Sequence, residues 1–447
     1  MQLNETHRAG LRSWVESANA PESDFPIQNL PYGVFRRDGE APRVGVAIGD
    51  RILDLTAALK AGLFRDQAEA AARLATGATL NALMAAEPAA QSALRRRLSQ
   101  ILDADNPERA QISAAAASLL VPMADAQLQL PVAIGSFTDF LTSIYHTERG
   151  GRITRPESPI PPPFRYLPIA YNGRATSVRA SGEVVRRPNG QWRNPDGKVE
   201  FGPTRQLDFE LELGFFVGCG NELGEPISID EAPERIFGFC LLNDWSARDM
   251  QRWESALGPF LSKSLSTTIS CWVVTAEALA PFRAPAFARP DGDPAPLPYL
   301  SSQTDQKEGG IDLALEGYVL TPQMRRERAS PALICRTNFL HMYWTVAQML
   351  AHHTSNGCNL RPGDLMGSGT TSGPLDENRA CYAEITSRGT TPWMLPNGER
   401  RTWVEDGDEI IFRGRAERQG YRSIGFGECR AIVTPAPPLP ISRDSPR

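Results

Sequence analysis

A mainly β fold with some α, split between a small N-terminal domain and a larger second one, is predicted by three features of this sequence. Its 447 residues are enough for two or three domains. Gly and Pro number 37 each, which favours turns and short strands over long helices. Short alternating or continuous apolar runs, bounded by Gly, Pro, Asn and Asp, recur along the chain.

Taken in order, residues 1–25 are polar and expected to be loosely held. Tyr32-Gly-Val-Phe-Arg36 and the run from Arg43 to Leu55 read as short strands joined by Asp-Gly and Gly-Asp turns. Residues 56–118 are rich in Ala, Leu, Arg and Gln and read as helices, giving an α+β domain over residues 1–120. Val121–Ala133 reads as the link into a second domain over 121–435. Leu141–His146 reads as a short helix, and a Gly/Arg/Pro-rich loop follows through Pro163, of the length used for lids and binding loops. Leu167–Val217 carries strand and turn signals, and Phe237–Leu242 reads as a buried strand. Asn243–Glu254 has helical spacing, ended by Gly258-Pro259. Gly310–Leu320 and Pro331–Phe339 read as strands, His341–His353 as an amphipathic helix, and 436–447 as a Pro-rich tail.

A net charge of −5 argues against nonspecific binding to nucleic acid or to an anionic membrane. The seven Cys are scattered, odd in number and without a CxxC pair, so they are expected as free thiols in a reducing compartment. The N-terminus lacks a basic start followed by an apolar run, and no apolar stretch reaches the roughly 18 residues of a membrane helix. The expectation is a soluble cytoplasmic protein.

The stretch Leu207-Asp-Phe-Glu-Leu-Glu-Leu213 alternates strictly. As a strand it puts Asp208, Glu210 and Glu212 on one face. Neighbouring carboxylates at roughly 4 Å and an effective dielectric of about 20 repel by about 4 kcal/mol per pair. Either that face is open to water or a cation lies on it. Asp244, Arg248 and Gln251, at i, i+4 and i+7, share one face of the expected helix, with Asp244 as its start; an ordinary N-cap and an ion-pair partner are the plainer readings. Asp139, expected in a strand-to-helix turn, is a second acidic candidate, and Lys263 stands in a polar Ser/Thr run. Of the five His, His146 beside the Gly/Arg loop is the best candidate base. His7 is expected in a loose terminus, and the other three on a packed helix. Glu384 closes the alternating run from Cys381 and could orient a His from a neighbouring strand; a plain strand position is the alternative. Asp139, Glu210, Glu212 and Asp244 form an all-oxygen set that suits Mg²⁺ or Ca²⁺ rather than zinc.

Phe237–Lys263, Leu207–Leu213, Thr337-Asn-Phe-Leu-His-Met-Tyr-Trp-Thr345 and Asn356-Gly-Cys-Asn-Leu-Arg-Pro-Gly-Asp-Leu365 together resemble the fumarylacetoacetate hydrolase family in its full-length, two-domain form. The likeness runs in the same order over most of residues 30–433. It implies a small N-terminal SH3-like β-barrel domain, a larger mixed β-roll domain and a homodimer. It also implies hydrolysis of a carbon–carbon bond in a small β-diketo acid, fumarylacetoacetate, giving fumarate and acetoacetate in tyrosine and phenylalanine catabolism. By the same resemblance Asp139, Glu210, Glu212 and Asp244 hold the metal, with Lys263 and Thr267 adding to the site. His146 is the base, Glu384 its carboxylate partner, and Arg248, Gln251 and Lys263 stabilise the developing oxyanion. Arg155, Tyr171 and Thr370 match substrate-binding positions. Two positions depart from the family pattern, each a Leu or Ser where a substrate-contacting Tyr is usual: Leu141 and Ser255. They leave open a related acylpyruvate or other 3,5-diketo acid hydrolase, or a metal-dependent decarboxylase or hydratase. A non-catalytic metal-binding protein is the remaining alternative, disfavoured by the full set of reactive residues.

Overall fold

The computed structural model describes residues 2–439; of the expected tail, 440–447 lie outside the described residues. The architecture is mainly β with some α, in three principal sheets. The first is antiparallel and five-stranded, in the order Leu120–Pro122, Arg51–Asp54, Arg43–Ile48, Tyr32–Arg36, Gln127–Gln129. Two of its strands thus come from the segment around Val121–Ala133 that reads as a linker. Helices between residues 55 and 119 pack beside it, as the Ala/Leu-rich composition predicts.

The central sheet positions the site. Its path runs Ile169–Asn172, Phe137–Leu141, Leu365–Gly367, Leu211–Val217, Ile236–Asp244, Thr267–Ile269, Val178–Ala180. Two pairings in it are parallel and the rest antiparallel. Both faces are buried. Leu211, Leu213, Phe215 and Val217 join the large core shared with a third sheet, Ala332–Asn338, Ala314–Leu320, Glu409–Ala416, Ile424–Thr434, Val185–Arg186. Phe216, Leu242, Phe137 and Ile269 point the other way, into the core shared with the N-terminal sheet. Glu212, Asp244, Asp139 and Thr267 have the same parity as those four residues on the same strands, so they share that second face.

The N-terminal segment is not loose. His7 and Thr6 are buried, His7 Nε2 lies 2.9 Å from the carbonyl of Glu277, and Asn4 donates to the Glu277 carboxylate at 2.6 Å. Polarity there reflects hydrogen bonding to a distant segment, which composition does not reveal. All seven Cys are free, five of them buried. No helix among the described residues is long and apolar enough to cross a membrane.

Candidate metal centre and its histidine–glutamate pair

Register along the central sheet brings the acids together. Asp139 stands opposite Tyr171 on one side and Gly367 on the other, and Gly367 stands opposite Gly214. Asp244 stands opposite Thr267. One carboxylate oxygen from each of Asp139, Glu210, Glu212 and Asp244 lies within 4.8 Å of the others, and all four residues are buried. The acidic face is therefore not solvated.

Asp208 leaves the set. The run from Leu207 breaks after Asp208 and resumes as a strand at Leu211. Asp208 instead accepts Arg248 Nε at 2.9 Å and the backbone N–H groups of Tyr382 and Ala383 at 2.7 and 3.0 Å.

Asp139, expected in a turn, lies on the strand Phe137–Leu141, and Asp244 and Glu384 also stand on elements other than those expected. Asp244 does not start a helix. It ends the strand Ile236–Asp244, and the helix begins at Arg248. Its carboxylate is held by Lys263 Nζ at 2.6 Å, Tyr171 Oη at 2.6 Å and Thr267 Oγ1 at 3.2 Å. Glu384 is not on a strand; it lies in the short helix Tyr382–Ile385, whose first N–H groups Asp208 caps. A four-residue run is too short for its period to separate strand from helix.

Charge is compensated unevenly. Lys263 also bonds Glu210, and Arg248 Nη2 lies 2.7 Å from Glu210 Oε1. Burial works against the Glu210 anion, but Lys263 and then Arg248 hold its pKa below the usual range. Asp139 and Glu212 are pushed the other way, by burial first and then by the neighbouring acids, Asp244 on Asp139 and Asp139 on Glu212. Asp139 Oδ1 and Glu212 Oε1 are buried with no hydrogen-bond partner. Glu212 Oε2 accepts the Gly369 N–H at 3.0 Å. Orphaned anionic oxygens converging from separate strands are the donor set of a hard divalent cation, so the residues present fit Mg²⁺ or Ca²⁺.

His146 lies on a helix longer than expected, Ile144–Thr154, preceded by the strand Phe137–Leu141 that carries Asp139. Ser143 caps it, accepting the His146 N–H at 3.1 Å. Its glycines read as loop, yet a Cβ on Gly151 would meet the Pro159 carbonyl oxygen at 1.8 Å, so this Gly serves a close approach within a helix. His146 Nδ1 lies 2.5 Å from Glu384 Oε1, which also accepts Ser372 Oγ at 2.5 Å. Burial opposes the Glu384 anion, but His146 and then Ser372 and Arg149 bring its pKa down to about 2.

Gln251 follows Arg248 on its helix; Arg248 Nη1 donates to Gln251 Oε1 at 3.2 Å, which turns the amide nitrogen away from the guanidinium. Thr370 is buried just beyond Gly369, and Leu141 is partly buried against the large core. Arg155 and Ser255 are not drawn in: Arg155 is exposed and donates to the Pro159 carbonyl of its own loop at 3.3 Å, and Ser255 is an exposed helix C-cap. Sequence reasoning missed Arg149 and Ser372, both on Glu384. Arg149 could have been found: once the helix runs past His146, position i+3 lies beside it.

Comparison with known proteins adds two family-model matches and several similar full-length proteins. The family model "Fumarylacetoacetate (FAA) hydrolase C-terminal" matches residues 138–434, and "Fumarylacetoacetase N-terminal" matches 28–131. Fumarylacetoacetase of Oryza sativa subsp. japonica is 45% identical, covering 98% of this chain and 100% of its own. The proteins of that name from Homo sapiens (44% identical, covering 93% of this chain and 98% of their own) and Caenorhabditis elegans (46%, covering 93% and 97%) are similarly close.

Proposed function

This chain belongs to the fumarylacetoacetate hydrolase family, and from that membership we propose that it hydrolyses fumarylacetoacetate to fumarate and acetoacetate. It is a hydrolase acting on carbon–carbon bonds of ketonic substances, with a small molecule as substrate. The observation carrying the mechanism is the pair His146–Glu384 beside four converging buried carboxylates.

Glu384, anionic down to about pH 2, accepts the Nδ1 proton and leaves Nε2 with its lone pair free. His146 Nε2 takes a proton from water as the water oxygen bonds to the ketone carbon. Lys263, Arg248 and the free amide end of Gln251 supply positive charge and donors to the oxyanion; loss of one such donor can reduce rate about 10²–10³-fold. Collapse of the adduct re-forms a C=O, as the new carboxylic acid, and breaks the carbon–carbon bond. The electron pair leaves on the second fragment as an enolate, and the His146 imidazolium protonates its carbon. Asp139, Glu210, Glu212 and Asp244, with Lys263 and Thr267 around them, would hold Mg²⁺ or Ca²⁺, which when bound supplies Lewis-acid polarisation of the diketone and balances enolate charge.

The proposal extends to a homodimer, a cytoplasmic setting, a place in tyrosine and phenylalanine catabolism, and division into two domains, with the boundary after Gln129 rather than at residue 120, because the strand Gln127–Gln129 still belongs to the first sheet. Tyr171 and Thr370 are proposed substrate contacts; Arg155, exposed and bonded within its own loop, is not. Leu141 and Ser255, each without the family's Tyr hydroxyl, favour one second reading, a hydrolase of acylpyruvates or another 3,5-diketo acid. Comparing turnover of fumarylacetoacetate with simple acylpyruvates separates the two. His146→Ala is expected to abolish turnover while the circular dichroism spectrum and melting profile stay unchanged; undiminished turnover refutes the general-base role.

A further inference from the structure

We propose that Arg149 is a positioning residue for the His146–Glu384 pair: it takes one Glu384 oxygen so that the other is left to His146. This rests on the general-base reading above. Arg149 Nη1 donates to Glu384 Oε2 at 2.9 Å, while Nη2 is 2.9, 3.1 and 3.2 Å from the carbonyls of Gly373, Pro374 and Leu375. The guanidinium is thus clamped at one edge by three backbone acceptors and presents the other edge to the carboxylate. Glu384 is enclosed, its side chain 4% exposed. Its two oxygens have different jobs: Oε2 faces Arg149, and Oε1 faces His146 Nδ1 and the Ser372 hydroxyl.

These partners differ in what they can do. An arginine only donates, whereas imidazole nitrogen and hydroxyl can each donate or accept. Arg149 is therefore the partner that fixes polarity. A carboxylate satisfies it with Oε2 and still accepts the Nδ1 proton with Oε1. An amide cannot do both. With Arg149 present, Glu384→Gln turns its carbonyl oxygen toward the guanidinium and its NH₂ toward His146. Nδ1 must then accept, the proton moves to Nε2, and the base loses the lone pair that faces water. Without Arg149, the amide is free to turn its oxygen back toward His146. Arg149 also tethers the His146 helix to the irregular segment 372–375, where Ser143 Oγ donates to the Ser372 carbonyl at 2.7 Å.

A merely structural arginine and a polarity-setting one give opposite double-mutant results. Glu384→Gln is expected to lower kcat by about 10⁴-fold, the scale of a wrong-tautomer substitution in a hydrolase triad. Arg149→Met is expected to lower kcat by about 10–100-fold with KM within about threefold, as for loss of an orienting partner. The double variant Arg149→Met/Glu384→Gln is expected to be at least about tenfold more active than Glu384→Gln alone. Arg149→Lys, which still donates to Oε2, should retain more activity than Arg149→Met. ¹⁵N spectra of His-labelled protein give a second reading on Glu384→Gln, which keeps the native Arg149: His146 should carry its proton on Nδ1 in the wild type and on Nε2 in the variant. A double variant no more active than Glu384→Gln, or an unchanged tautomer in that variant, overturns the assignment. Full activity of His146→Ala would instead overturn the general-base reading beneath it.

Discussion

Replacing Asp139 by Asn should stabilise the metal-free protein and abolish its response to metal, two effects of opposite consequence from one atom exchanged. The cluster oxygens lie within 4.8 Å of one another. At that separation and an effective dielectric of about 20, each like-charge pair repels by about 3 kcal/mol. Burial and the charge of Asp244 push the Asp139 carboxyl up, so proton uptake already relieves part of this. A gain of about 1–3 kcal/mol is left for the neutral amide. The amide also brings an N–H donor toward Glu212, whose Oε1 has no partner. A chain of 447 residues has an unfolding entropy of about 0.9 kcal/mol/K, so Tm of the chelator-treated variant should rise by about 1–3 °C. In the wild type, Mg²⁺ or Ca²⁺ at about a hundred times its Kd adds about 2.7 kcal/mol, or about 3 °C. The variant, with one anionic ligand removed, should show little of that shift. The assay is thermal unfolding after chelation and dialysis, with each cation titrated back. A metal-free variant melting below the wild type, with its metal-dependent shift intact, would refute both the repulsion and the site.

Two further outcomes are expected. Arg248→Met leaves Asp208 and Glu210 buried without their guanidinium, so urea denaturation should show a loss of about 3–5 kcal/mol; a loss under about 1 kcal/mol would mean that water reaches the pair. Glu384 has a folded pKa of about 2 against an ordinary 4.5, so its contribution is present above about pH 4.5 and lost as pH falls toward 2. The full gap is worth about 3 kcal/mol, of which about 2 kcal/mol is lost between pH 6 and 3, so the stability lead of wild type over Glu384→Gln should shrink by about 2 kcal/mol over that range; a lead that stays constant with pH removes the claim.

Much of this was legible in the sequence, and the gaps have physical causes. All-oxygen chemistry groups Asp139, Glu210, Glu212 and Asp244, and the structure brings them together. The alternation at 207–213 locates Glu210 and Glu212, but it cannot show that the chain breaks after Asp208 and sends that carboxylate to Arg248. Helical spacing after Asn243 is real from Arg248 onward, yet a periodic pattern says nothing about the residues just before the first turn, and there Asp244 is still strand. Gly150 and Gly151 mask the second half of the His146 helix, because glycine lowers helix propensity whether or not tertiary packing demands it. Arg149 is hidden with it. Arg155 and Ser255 rest on position in a family pattern; both are exposed and hold local contacts.

The arrangement around Gly367 argues most directly against a solvated or merely structural acidic face. Between the strand of Asp139 and the strand of Glu212 runs Leu365–Gly367, and at the level of the acids it carries Gly367, opposite Asp139 on one side and Gly214 on the other. A Cβ there would lie 2.5 Å from Asp139 Oδ1 and 3.0 Å from Glu212 Oε2. Gly367 belongs to a strand, where glycine is unfavourable, and its backbone needs no positive φ. The gain must come from the room it leaves beside two buried carboxylates. If the acids served only as surface charge, a side chain could fill that room and the carboxylates could turn to water. Here they cannot reach water, and Asp139 Oδ1 and Glu212 Oε1 have no donor. Packing two buried carboxylates this closely is relieved by a proton or a cation, and the partnerless Asp139 Oδ1 and Glu212 Oε1 are the oxygens left for a cation. The glycine therefore belongs to the site as much as the four acids do.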